Sequence, residues 1–121
     1  MKKIIFLSLF ILSAALVKAQ GNLQFNQVIV YTIPLNSSVA FTVPAGKVWK
    51  IESAGVGGTG STSLSLRDAT SAPVAYFFGA TSGNNTPFPF WLPGSFSGSF
   101  VSSGTNPYRD IISIIEFNVV P

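Results

Sequence analysis

The chain has 121 residues, no cysteine, no histidine and a formal charge of +3. Those two absences exclude disulfide staples, Ser-His and Cys-His nucleophiles, and His/Cys metal sites. The positive charge belongs to the N-terminus: Lys2, Lys3 and Lys18 lie within the first 19 residues, while Lys47, Lys50, Arg67 and Arg109 balance Glu52, Asp68, Asp110 and Glu116 in the remainder, so the electrostatic footprint demanded by nucleic acid or an anionic membrane surface is missing.

Met1-Lys2-Lys3 is a short basic start, and Ile4 to Val17 is an apolar run broken only by Ser8 and Ser13. Val17-Lys18-Ala19 then offers a cleavage site before Gln20, which completes the pattern of a secretory signal peptide. The apolar run is shorter than the roughly 20 residues of a spanning helix, which predicts a cleaved leader and no membrane span after processing. An uncleaved N-terminal anchor is the alternative. Removing 19 residues from 121 leaves 102, residues 20–121, which is one domain's worth. The expected address is secreted, periplasmic or cell surface.

After the leader, glycines and prolines punctuate short segments rich in Val, Ile, Phe, Tyr and Thr, the signature of an all-β sandwich or barrel. The predicted strands are Gln27–Ile33, Val39–Val43, Lys47–Ser53, Ser61–Arg67, Val74–Phe78, Phe88–Leu92, Ser95–Val101 and Ile111–Val120. Alternation turns Leu64 and Leu66 inward, sets Phe41 and Val43 against Ala40 and Thr42, and puts Trp49 and Ile51 on one face with Lys50 and Glu52 on the other. Val28-Ile29-Val30-Tyr31 and Ile111-Ile112-Ser113-Ile114-Ile115 are apolar on both faces, so one face fills the core and the other calls for a partner, with twisted strand ends and covering loops as the alternative. Pro44-Ala45-Gly46-Lys47 is expected to join two strands as a hairpin, with Pro44 at the second turn position. Gly55 to Gly60, Thr81 to Thr86 and Ser102 to Pro107 read as longer loops, and no helix is expected beyond residues 4–17 of the leader.

Chemistry finds few footholds. A Ser-Lys pair would need Lys47 or Lys50, and no Ser-x-x-Lys occurs. Glu52 and Glu116 are the strand-borne acids that glycoside hydrolysis would use, but solvated strand acids are common without function. Gly55-Val56-Gly57-Gly58-Thr59-Gly60 fits the dinucleotide spacing, yet an alternating Ser/Leu strand follows where a helix N-terminus is required. Asp68, Asp110, Asn84 and Asn85 carry oxygens suited to calcium but form no recognisable loop. Asn36-Ser37-Ser38 and Asn84-Asn85-Thr86 satisfy the glycosylation sequon. Pro87-Phe88-Pro89-Phe90-Trp91-Leu92-Pro93 is a rigid aromatic segment on an expected edge strand; its alternation puts Phe88, Phe90 and Leu92 in the core and Trp91 outside.

Three stretches carry a resemblance: Phe41-Thr42-Val43-Pro44-Ala45-Gly46-Lys47-Val48-Trp49-Lys50-Ile51, Trp91-Leu92-Pro93-Gly94, and the closing Ile114-Ile115-Glu116-Phe117-Asn118-Val119-Val120-Pro121. With the Ala19-Gln20 junction, they resemble small uncharacterised exported β-proteins of Bacteroidota. The resemblance implies a Gram-negative envelope or extracellular setting and a jelly-roll-like sandwich; it transfers no functional residue.

The sequence therefore leads to a single antiparallel β-sandwich of about eight strands over residues 20–121. Its expected role is an exported, non-enzymatic structural or surface subunit that self-associates through apolar β surfaces, with copies of itself or other envelope proteins as partners. Eight charges in 102 residues is far below the roughly one quarter usual in soluble domains, which weakens the guard against association. The alternative is a small carbohydrate-binding or adhesive module that places Trp91, with Tyr76 or Tyr108, against a glycan. No cofactor, metal or catalytic residue is assigned.

Overall fold

A computed structural model describes residues 22–57, 62–79, 85–105 and 108–121. The expected leader, its Ala19–Gln20 junction, and parts of three expected loops, including Asn84, lie outside them. Eight strands make up the fold: β1 (Asn22–Ile33), β2 (Ser38–Thr42), β3 (Lys47–Gly55), β4 (Thr62–Asp68), β5 (Pro73–Phe78), β6 (Phe90–Leu92), β7 (Ser97–Gly104) and β8 (Asp110–Val120). There is no helix among the described residues.

The strands form two antiparallel four-stranded sheets, ordered β1-β8-β3-β6 and β2-β7-β4-β5. The ladders pair β1 with β8, β2 with β7, β3 with β6 and β4 with β5, as along one long hairpin whose tip is β4–β5. Rolling that ribbon brings β3 against β8 and β4 against β7, and the result is a jelly roll.

Alternation fills the space between the sheets. Ile33, Ile51, Leu64, Leu66, Ile112 and Ile114 are fully buried, and Phe41, Trp49, Phe77 and Phe100 join them. The rings of Phe41 and Phe100 stack at 4.4 Å between centroids, with Tyr31 5.5 Å from Phe100 and Trp49 5.3 Å from Phe41. Phe88 and Phe90 pack onto this core from the β6 side, against Phe77.

Three local expectations need correction. Pro44–Lys47 is no hairpin: β2 lies in one sheet and β3 in the other, so the turn crosses between sheets. Val43 bonds instead to the backbone of Ser95 and Phe96. Pro44 also takes the first turn position, accepting from Lys47 N at 3.1 Å, while Gly46 sits at φ +74°. Second, β1 begins five residues before the expected Gln27. Its polar stretch pairs with Phe117–Val120 despite its composition, with a bulge at Asn26. Third, β6 is cut to three residues, and β7 runs on to Gly104 through part of an expected loop.

Gly98 has a steric reason to be glycine. It sits opposite Phe41 on β2 and Asp68 on β4, and a Cβ there would run into the carbonyl oxygen of Arg67. Gly98→Ala is expected to push β7 from β4 and lower stability by about 1–3 kcal/mol. Gly55→Ala, which meets nothing within 4 Å, is the neutral control, and urea unfolding of both variants checks the difference.

Candidate functional site

The two solvent faces of the sandwich differ sharply in chemistry. On the β2-β7-β4-β5 sheet, Ala40, Thr42, Ser97, Ser99, Ser103 and Ser63 point outward, with Val74 and Tyr76 on the edge strand β5, and four of the hydroxyls pair with one another. Thr42 and Ser97 lie 2.9 Å apart and Ser63 and Ser103 lie 2.6 Å apart, each a cross-strand pair. A shallow open cleft of about 310 Å³ lies there, lined by Thr42, Ser97, Ser99, Asp68 and Ser71. No exposed ring lines it.

The outer face of the β1-β8-β3-β6 sheet is apolar. Strand parity and the bulge at Asn26 put Leu23, Phe25, Val28 and Val30 of β1 on this face, and Phe25, Val28 and Val30 are 63%, 57% and 59% exposed. Their cross-strand neighbours on β8 are Val119, Phe117, Ile115 and Ser113, with Ile111 beyond. Val48 and Lys50 of β3 continue the surface opposite Phe117 and Ile115, and Trp91 of β6 closes it beside Lys50. These positions are contiguous across four strands, whereas soluble monomers rarely expose apolar patches beyond a few hundred Å².

Trp91 is 45% exposed, as its alternation with Leu92 and Phe90 predicted. Its ring lies 5.8 Å from that of Phe117, and the Lys50 ammonium stands 5.7 Å over its centroid. Lys50 also pairs with Glu52, so the two charges on this face neutralise each other at its edge. Tyr76 and Tyr108 are exposed too, but the three rings are not brought together. Tyr76 points outward from β5 on the opposite face of the sandwich, and Tyr108 sits in the loop before β8.

Glu116 departs from the expectation of a solvated strand acid. It shares the inward parity of Ile112 and Ile114 and is only 3% exposed. Trp49 Nε1 donates to its Oε2 at 2.7 Å, while Asn26 Nδ2 and Gln27 Nε2 donate to Oε1 at 2.6 and 3.0 Å. Burial pushes the carboxyl's pKa up, but the three donors and the nearby Lys47 outweigh it and hold the group below its ordinary value. Tyr31 responds in the opposite sense, raised by burial and by the Glu116 charge. The parity of Ile112-Ser113-Ile114-Ile115-Glu116 carried this signal. With every donor engaged, and Glu52 on the other side of the sheet, the two acids form no catalytic pair.

The remaining sequence motifs are structural in place. Gly57 N donates to Asp110 Oδ1 at 3.3 Å, and β4 rather than a helix follows the glycine run. Asp68 closes the β4–β5 turn by accepting from Thr70 N, Thr70 Oγ1 and Ala72 N at 2.7–3.0 Å, which holds its pKa below the ordinary carboxylate value. No protein-family model matches the chain, and no curated protein is similar to it.

Proposed function

We propose that the chain is an exported, non-enzymatic structural or surface subunit that associates with copies of itself through the outer face of the β1-β8-β3-β6 sheet. The observation that carries this reading is the contrast between the faces. One is rich in serine and threonine, with exposed Val74 and Tyr76 confined to its edge strand β5, and the other displays exposed Leu, Phe, Val, Ile and Trp side chains on β1, β8 and β6. A second copy is the occupant that fits, because the region after the leader is uncharged overall and the face itself holds only a self-neutralising Lys50–Glu52 pair. A partner recognised by charge would find nothing to engage there.

A glycan-binding role rests on Trp91, and its geometry favours that role less. Lys50 and Phe117 already flank the ring, and the open cleft lies on the other side of the sandwich. Size-exclusion chromatography of the processed protein and of a Phe25→Ser/Val28→Ser double variant tests the proposal. The wild type is expected to elute as an oligomer and the variant, altered only at exposed positions, to shift to the single-chain volume. Identical elution of the two, or glycan binding that Trp91→Ala abolishes in a monomer, would overturn it.

A further inference from the structure

The four sheet edges are not equally protected. β6 has three residues and is flanked by Pro89 and Pro93, β5 opens on Pro73, and β2 has five residues between Pro34 and Pro44. Shortness and proline are the usual devices that stop an edge from pairing with a foreign strand. β1 has neither. It runs for 12 residues, Asn-Leu-Gln-Phe-Asn-Gln-Val-Ile-Val-Tyr-Thr-Ile, with no proline, glycine or charge. Its one irregularity, the bulge at Asn26, leaves Gln27–Ile33 as seven regular residues. Among the described residues, no backbone hydrogen bond reaches β1 from anything but β8.

We infer that β1 is an assembly edge that pairs antiparallel with β1 of a second copy across a two-fold axis near Val30, joining the two β1-β8-β3-β6 sheets into one of eight strands. The inference rests on the self-association reading and adds an edge contact to the face contact. Self-complementarity of the uncharged strand is what selects a second copy over a partner recognised by charge. An isologous pairing matches a strand to itself, so an uncharged strand with β-branched residues on its outward face meets no like-charge repulsion. Val30 is the middle residue of the regular segment Gln27–Ile33, which makes it the natural position for the axis. Edge pairing supplies main-chain hydrogen bonds that the face alone lacks, and it doubles the apolar platform.

The cysteine-free chain makes the test clean. Single cysteines are placed at Val28, Val30 and Thr32 on the outward face of β1, and at Val48 and Phe117 at the sheet centre, in the processed protein under mild oxidation. Directly opposed strand residues have Cβ atoms about 4.5–5.5 Å apart, within a small adjustment of disulfide geometry. Val30→Cys is expected to form a disulfide dimer, whereas Val28→Cys and Thr32→Cys are expected to cross-link to each other when mixed and only weakly to themselves. Val30→Lys, a charge at an exposed position, is expected to raise the concentration needed for assembly at least tenfold. Cross-links confined to Val48 and Phe117 would overturn the edge pairing while leaving self-association through the face intact. A single-chain mass for the wild type with no cross-link at any position would overturn both.

Discussion

Glu116→Ala is expected to lower the stability of the domain by about 3 kcal/mol, because it strands the three donors that converge on that carboxylate. Trp49 Nε1 is the most costly of them, since the indole is buried in the core against Phe41 and Tyr31. Asn26 and Gln27 are exposed and recover part of their hydration. Glu116→Gln keeps the volume and one acceptor, so a smaller loss is expected. The pH dependence follows from the direction of the shift. The folded state holds Glu116 below its ordinary value of 4.5, so the unfolded chain takes up the proton more readily. The stabilisation is therefore complete above that value and drains away as pH falls through the lower folded pKa. Urea unfolding at neutral and acidic pH checks this: the difference between wild type and Glu116→Gln should narrow with acidification. Equal denaturation midpoints for Glu116→Ala and wild type at neutral pH would contradict the network.

Phe100→Ala is expected to cost about 3–5 kcal/mol, the range for deleting a buried ring. Phe100 is fully buried at the centre of β7, stacked on Phe41 of β2 and tilted against Tyr31 of β1. Its ring therefore ties the two sheets together, and its loss opens a cavity that strands on both sides cannot close. With total stabilities of about 5–15 kcal/mol for a domain, such a loss leaves the fold marginal. Trp91→Ala is the informative contrast. Its indole touches Phe117 and Lys50 at the surface, so thermal unfolding of the isolated subunit should hardly move, while assembly should weaken. A core ring and a surface ring of similar size thus separate folding from association.

Much of the architecture could be read from alternation, because a strand's two faces are written locally. Leu64 and Leu66, Trp49 and Ile51, and Phe41 and Val43 all turn inward as their spacing requires. The prolines around Trp91 marked an edge strand, and β6 is one. What a strand pairs with is not local. The segment Val39–Lys47 carries a plausible hairpin turn, yet in the rolled ribbon β2 belongs with β7 and β3 with β8, contacts that close over long stretches of chain. The start of β1 was hidden for a related reason. Asn22, Gln24, Asn26 and Gln27 look like a polar lead-in, and only the β8 partner, with the buried Glu116, gives them a sheet to join.

The same logic applies to the surface. Two-faced apolar strands at Val28–Tyr31 and Ile111–Ile115 announced that one side would need a cover, and the fold brings those outer sides together on one sheet with Phe117 and Trp91. The rings of Trp91, Tyr76 and Tyr108 could not be sorted among the surfaces without the strand order, which sends them to three separate places. A jelly roll is shared by capsid subunits and lectins alike, so the fold does not choose between assembly and sugar binding. The asymmetry of the two outer faces is what favours assembly.

The most direct measurement is the mass of the processed protein by light scattering over a wide range of concentration. The proposed role requires a mass that is a multiple of the 102-residue chain, rising or holding with concentration and falling to one chain when Phe25 and Val28 are made serine. A wild-type protein that stays a single chain at the highest concentration, with its apolar face open to water, would contradict it.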